Sequence, residues 1–452
     1  FQLKATRAVV TPAGTCRVEI PVDPGAPPRI RLGDVPVVES AGRMHDVDLF
    51  WMPRQRRSRI ENDTTAAVQR ALREQTGDVL VFLPGIGEIM RTQSALQQVV
   101  GDDIDVYPLA GALSQSEQDL ALSPSPPGRR RVVLSTDIAE TSLTVEGVRV
   151  VVDSGLARAP RFDVRTGMTR LTTISTSRSS ADQRAGRAGR VEPGACYRLW
   201  SKIEHSSRAA HRSPEIEEVD LAGLALELAA WGTPAEQLGF PTAPPRKALR
   251  AADALLHDLE AIDADGRITD VGRRMLGLPV HPRLARMLVA EPTPLGCALA
   301  VLIDERDMLR GRPDDLPADL SLRLRVLAGR DVHDQADRRA VRRLRDRAND
   351  LARRMRIKFD PDLIVADRAG GALLHAFPDR LAARRRPVQV QLRTGSGAWL
   401  PDTDPLAQES FLVAAVLDGK RDRSRIRLAA ALDADDVADT FGDHVDERVR
   451  LE

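Results

Sequence analysis

The sequence predicts a multidomain chain that is α/β at first, then largely helical, and then a small β-barrel. Three patterns carry this. Apolar runs at Val79–Leu83, Val132–Leu134 and Val148–Val152 alternate with helical stretches, as in a doubly wound, mostly parallel sheet. Residues 284–358 then repeat apolar side chains at helical spacing. From Leu373 the period changes again. Val388-Gln389-Val390-Gln391-Leu392 alternates strictly, and Phe411–Leu417 and Ile426–Leu428 follow as strands, with turns at Gly395-Ser396-Gly397 and Asp418-Gly419.

In the α/β part, Thr64–Glu74 places Ala67, Val68, Ala71 and Leu72 on one helix face, and the next strand ends at Pro84-Gly85. Tyr107–Leu113 closes another strand, and Ser114 caps the helix that begins near Gln115. Leu156–Asp163 and Met168–Ser175, divided by Arg165-Thr166-Gly167, read as a β-hairpin, and Cys196–Trp200 as a last strand. Leu221, Leu224, Leu226 and Leu228 lie in a helix ended by Gly232-Thr233-Pro234, Ala248–Leu259 is a second helix, and Asp263–Thr269 is a turn between apolar residues. Further on, Val341, Leu344, Ala348, Leu351 and Met355 form one buried stripe. The opposite face carries Arg339, Arg342, Arg343, Arg347, Arg353, Arg354 and Lys358; such a face is either solvated or set against phosphates. Before all this, Val18–Val22 reads as a short edge strand and Pro24–Pro28 as a loop.

Composition narrows the function. A chain of 452 residues needs several cores. No run approaches the ~18–20 apolar residues of a membrane span, and the first residues do not form a signal peptide, so the expectation is a cytoplasmic protein without a membrane partner. Cys16, Cys196 and Cys297 share no ligand-like spacing, which argues against a zinc site or a disulfide framework. The net charge of +1 means that any affinity for nucleic acid must come from local patches.

The chemistry concentrates in residues 132–190. A Ser/Thr-rich loop, Ser135-Thr136-Asp137-Ile138-Ala139-Glu140-Thr141-Ser142-Leu143-Thr144, follows one strand. Gln183-Arg184-Ala185-Gly186-Arg187-Ala188-Gly189-Arg190 sets arginines on a small-residue backbone. Arginine suits an anionic ligand because it is always charged and offers a planar fork of donors to phosphate oxygens. A solvated basic helix face is the plainer alternative for the octet taken alone.

These two stretches resemble motifs V and VI of the DEAH-box helicases, most closely the HrpB-like branch of bacterial ATP-dependent RNA helicases. The likeness runs from about Val37, where Val37–Arg43 resembles the opening of the family's second RecA-like domain. It implies a RecA-like domain over 37–212, a winged helix over 213–283, a helical ratchet over 284–370 and an OB-like barrel over 371–452. Residues 1–36 would be a linker or a remnant of the first RecA-like domain. No Gly-x-x-x-x-Gly-Lys-Ser/Thr loop occurs anywhere, so that first domain, which would hold most of the ATP and Mg²⁺, is expected to be missing from this chain.

The resemblance also implies roles. Gln183 would position the attacking water or γ-phosphate, and Arg187 and Arg190 would act as arginine fingers. Arg184 would point elsewhere, so that its loss costs much less. Ser142, Thr144 and Glu146 would face the nucleotide, with Glu146 where many relatives have Asp. Leu122 would stand where several relatives set an aromatic residue against adenine. Gly85 of motif IV, Thr136 and Asp137 would face RNA phosphates. Many relatives have Asn at the place of Asp137, whose anion would repel phosphate unless an arginine pairs with it. Arg158, Arg161, Arg165 and Arg170 on the hairpin would face the backbone of a nucleic acid, or solvent. The implied activity is a 3′-to-5′ RNA helicase working as a monomer on single-stranded RNA. The alternatives are a silent RNA-binding scaffold without a P-loop, and DNA as the track.

Overall fold

The computed structural model describes residues 45–441, without 56, 112, 127, 142–144, 165, 313 and 420–422, and two pairs of two-residue strands between residues 10 and 32. The edge strand expected at 18–22 is present as Val18–Glu19, paired with Arg31–Leu32. Val37–Arg43 lies outside the described residues. The chain forms two compact units, residues 32–161 with 171–218, and residues 162–170 with 219–452.

The first unit is built on six strands, β1 (Val47–Trp51), β2 (Asp78–Phe82), β3 (Ile104–Leu109), β4 (Arg130–Ser135), β5 (Val148–Asp153) and, after the hairpin, β8 (Gly194–Arg198). All pair in parallel, in the order β1-β8-β5-β2-β4-β3. Every residue of β2 is buried, as a parallel strand covered on both faces requires. Strand alternation decides the faces. Val79, Val81, Val132, Leu134, Val150 and Val152 pack with α1 (Ile60–Glu74) and α2 (Ile86–Gln97), through Ala67, Val68, Ala71, Ile89 and Leu96. Leu80, Phe82, Val133, Val151 and Cys196 face the other way, toward α3 (Gln115–Leu122), α4 (Ile138–Thr141) and α5 (Arg178–Gly186). Ser114 caps α3 in a reciprocal box with Glu117. The hairpin strands β6 (Leu156–Asp163) and β7 (Met168–Ser175) have the expected bounds, and α6 (Lys202–Ser207) follows the last strand.

The second unit holds α7 (Ala222–Trp231), ended by Gly232 in the left-handed conformation, α8 (Arg246–Asp258) and α9 (Asp270–Leu276). The turn expected before α9 is closed by a bridge between Ile262 and Ile268. Helices α10 (Pro282–Ala290), α11 (Pro294–Asp304), α12 (Leu320–Ala328) and α13 (Arg338–Arg354) come next. On α13, Leu344, Ala348 and Leu351 are buried, while Val341 and Met355 pack at the rim. Its basic face is exposed, and two of its arginines are already engaged, Arg347 by Glu305 at 3.0 Å and Arg353 by Asp350.

The barrel comprises β9 (Leu381–Arg386), β10 (Gln389–Leu392), β11 (Gly397–Trp399), β12 (Phe411–Leu417) and β13 (Ser424–Leu432), closed in the order β9-β10-β11-β13-β12, with α15 (Ala434–Phe441) after it. The period change at Leu373 does not begin it. Leu373 lies inside α14 (Ala369–Ala376), and one core runs from Leu284 of α10 to Leu432 of β13. Small residues let α14 lie directly on β13: a Cβ at Gly370 would collide with the carbonyl oxygen of Ala431, whereas at Gly371 it would meet only Asp436, at 3.7 Å. Gly370→Ala should therefore cost about 1–3 kcal/mol through overpacking. Gly371→Ala on the same helix should be neutral or stabilise by up to ~1 kcal/mol. Urea unfolding of the two variants checks the contrast.

Candidate functional site

The loops that carry the motifs leave the carboxyl ends of β2, β4 and β5, where open α/β sheets place their ligands. Ser177 caps α5 by accepting from the Ser180 amide, which turns Ala181, Ala185 and Arg184 toward the sheet. Arg184 is the surprise of the octet. It is fully buried, and its guanidinium meets three carboxylates: Asp137 at 2.6 Å through Nη2, Glu140 at 3.0 Å through Nε, and Asp153 at 2.8 Å through Nη1. Nη1 also reaches the Leu156 carbonyl at 3.3 Å, and the group lies 4.8 Å from the centre of the Phe82 ring. Arg184 does point elsewhere than its neighbours in the octet, inward onto these acids, and the expectation that its loss costs much less turnover than that of Arg187 or Arg190 is separate from its weight in the fold. The burial of a cation is decided by acids from β5 and the loop after β4, which the octet itself does not reveal.

Glu140 is the branch point. Its carboxylate accepts from Arg184 and, at 2.6 Å, from the Ser180 hydroxyl, while its main-chain carbonyl accepts from Arg187. Asp153, at the end of β5, also accepts from the Gly155 amide at 2.8 Å. Burial pulls the pKa of Arg184 down, but Asp153, Asp137 and Glu140 outweigh it and raise the value. Asp137 is raised, first by burial and then by repulsion from Glu140 and Asp153, against the attraction of Arg184 and Arg212. One cation shared three ways cannot compensate every acid. The condition set for Asp137, an arginine partner, is met.

Arg187 ends α5 and is also buried; Arg190 and Gln183 are exposed. The Arg187 pKa is lowered by burial and then by repulsion from the Arg190 guanidinium. Such a pair favours an anion between them. Gly189 packs against β1, its carbonyl accepting from the His45 amide at 2.9 Å.

Gly85 and Arg158 come together: Gly85 starts α2, a Cβ there would sit 3.0 Å from the Arg158 guanidinium, and Arg158 pairs with Glu88 at 3.3 Å. Beside them a groove of about 550 Å³ is lined by Pro84, by Glu61 and Glu88, and by Arg54, Arg59 and Arg91, three arginines that no sequence motif marks. Arg161 pairs with Glu218 at 3.2 Å. Thr136 is half-buried next to Asp137, and Leu122 is half-buried against the sheet. Glu146 is exposed, and its carbonyl accepts from Arg131. Ser142, Thr144 and Arg165 lie outside the described residues. Among the described residues no group of three His, Cys, Asp or Glu could hold a metal ion.

A parallel α/β domain with this arginine array, followed by a winged-helix turn, a helical region and a barrel, is the arrangement of a C-terminal helicase module, and in it the chain resembles the DEAH-box RNA helicases. Residues 63–192 match the family described as helicase conserved C-terminal domain, and residues 254–280 match helicase associated domain (HA2), winged-helix. The chain is similar to ATP-dependent RNA helicase HrpB of Escherichia coli (strain K12), 38% identical over 414 residues, which are 90% of this chain and 48% of that protein. A crystal structure of the E. coli DExH-box NTPase HrpB matches with a TM-score of 0.77 at 35% identity, over 89% of this chain and 48% of that one. The splicing-factor helicase prp22 of Schizosaccharomyces pombe is 34% identical over 275 residues, 59% of this chain and 24% of that protein. The chain thus spans about half the length of HrpB and a quarter of prp22.

Removing Arg184 would strand three acids, of which Asp153 is fully buried and Asp137 and Glu140 partly so. Arg184→Ala should lose about 3–5 kcal/mol of stability, the usual cost of breaking a buried pair. Asp137→Asn, which relieves an overfull cluster, should stay within about 1 kcal/mol of the parent. Denaturant titration near neutral pH separates the two outcomes.

Proposed function

We propose that this chain is the motor-closing and track-gripping half of an ATP-dependent RNA helicase that moves 3′ to 5′ along single-stranded RNA, as a monomer in the cytoplasm. The observation that carries the reading is the double use of Glu140. Its side chain holds Arg184, which holds Asp137 on the proposed RNA side, and its main chain holds Arg187 on the proposed nucleotide side. The two faces are one hydrogen-bonded piece.

When bound, ATP with Mg²⁺ supplies the phosphoanhydride bond whose cleavage drives movement, and a P-loop domain outside these residues is its principal holder. The work of this chain is electrostatic. Arg187 and Arg190 place positive charge where negative charge develops on the transferring phosphoryl group, and stabilise it when the cleft closes. Gln183, exposed on the same helix, orients the attacking water. Ser142, Thr144, Glu146 and Leu122 contribute to the nucleotide side. On the track side Gly85 leaves the backbone open beside Arg158, and Thr136 donates from the loop after β4. Pairing with Arg184 spares Asp137 from repelling the track. Phosphate contacts of this kind read no sequence.

In a complete enzyme, Arg187→Ala and Arg190→Ala should each lower kcat by about 10³–10⁵, as expected for arginine fingers, with single-stranded RNA affinity in the absence of nucleotide little changed. Steady-state ATPase assays beside RNA titrations test this, and near-normal kcat in both variants would contradict the assignment. The 452-residue chain alone should bind single-stranded RNA with log K falling against log salt at a slope of roughly −3 to −4, the mark of about four to six phosphates. It should show no RNA-stimulated ATPase. A slope near zero would contradict the track reading.

A further inference from the structure

Residues 162–170, the far end of the hairpin, belong to the second unit although the rest of β6 and β7 belongs to the first. An isolated two-stranded hairpin is marginal in water, so something must hold this end. Arg380 does so. It is buried after α14, and its two terminal nitrogens donate to carbonyls of different elements, Nη1 to Ala415 of β12 and Nη2 to Gly167 in the hairpin turn, each at 2.9 Å. The adjacent acid, Asp379, is taken by Arg283, which binds it through both terminal nitrogens at 2.6 and 2.9 Å and also reaches the Ala376 carbonyl at 3.0 Å. Asp379 is only 4.0 Å from Arg380 Nε, so it offsets the charge while leaving the two Nη groups to the carbonyls. Both guanidiniums rest on the Phe377 ring, at 5.4 and 5.0 Å from its centre. Burial, then repulsion from Arg283, brings the Arg380 pKa down to about 10, so the group remains a cation near neutral pH.

Two further contacts seat the same end. Met168 is buried in the barrel core with Leu412 and Leu417, and Arg170 donates to the Gly419 carbonyl at 3.3 Å, so Arg170 serves the barrel. The remaining outward face of β7 is left to solvent, with Leu171 68% exposed between Thr169 and Thr173.

We infer that Arg380 is a positioning residue for the hairpin's contact with nucleic acid, a latch that fixes the hairpin turn to the barrel so that the exposed face of β7 meets nucleic acid at a constant place. The inference rests on the helicase reading above. Arginine suits the latch because its rigid fork holds two nitrogens apart, one for each carbonyl, whereas a lysine has a single nitrogen to share between them.

The experiment compares the chain with Arg380→Met and Arg380→Lys by hydrogen–deuterium exchange, and then the same substitutions in a complete enzyme by counting base pairs opened per ATP. The Met variant should exchange amides 166–170 at least tenfold faster, the Lys variant should fall between it and the parent, and strand β13 should keep its protection. In the complete enzyme, base pairs opened per ATP should fall several-fold while ATPase stimulated by single-stranded RNA persists, a split that mere loss of fold would not give. If the Met variant does not fold, the Lys variant carries the same comparison. Unchanged exchange at 166–170 in either folded variant overturns the latch. Faster exchange with undiminished unwinding yield overturns the positioning role. A parent enzyme that neither binds RNA nor opens duplexes overturns the helicase reading instead, and the exchange result then judges the latch by itself.

Discussion

The first unit depends on one guanidinium. Arg184, 44 residues after Glu140 in the sequence, gathers Asp137, Glu140 and Asp153, which come from the loop after β4, from α4 and from the end of β5, onto the helix α5. Three acids in a buried space would repel one another and pay heavily for desolvation; a single arginine with donors in a fixed fork makes the arrangement tolerable. The consequence is mechanical as much as electrostatic. The loop proposed to touch RNA cannot shift without disturbing Glu140, and Glu140 cannot shift without disturbing Arg187, whose donor it holds through the main chain.

The second unit solves a different problem. Its helices bury their stripes against a closed barrel whose strands include small residues such as Ala414, Ala429 and Ala430. Small side chains on both partners let α14 sit on β13 at backbone distance. The same economy leaves buried arginines to satisfy main-chain carbonyls: Arg323 donates to Pro317 and Asp319 while pairing with Asp307 at 2.6 Å, and Arg380 bridges Ala415 and Gly167. In this arginine-rich chain the guanidiniums divide between interior joints and exposed faces, and burial tells them apart.

That division marks how far the sequence could be read. The hairpin was legible to the residue because strand alternation and a Gly turn are local signals, and the stripe on α13 was legible because helical spacing is too. The parallel pairing of the sheet, though not its strand order, followed from strands alternating with helices. The start of the barrel was not legible: Ala369–Ala376 has apolar residues on every side, so the loss of periodicity reflected a helix buried all round and not the onset of strands. The octet Gln183–Arg190 announced a site but not which arginine turns inward. Asp137 and Glu140 lie more than forty residues before Arg184, and only the fold brings them to it. The family resemblance, drawn from the same residues, supplied roles without supplying that geometry.

The central claim is that Arg184 ties the track-facing loop to Arg187 as one piece, and side-chain NMR of the arginine Nε–H groups in the 452-residue chain addresses it directly. The account predicts that the Arg184 Nε–H, held on Glu140, exchanges with water far more slowly than that of an exposed arginine such as Arg342. It also predicts that titration with single-stranded RNA moves the Thr136 and Asp137 amides and the Arg184 and Arg187 Nε signals together, with one Kd. Rapid exchange at Arg184, or RNA-induced shifts at Thr136 and Asp137 that leave both arginines unmoved, would contradict it.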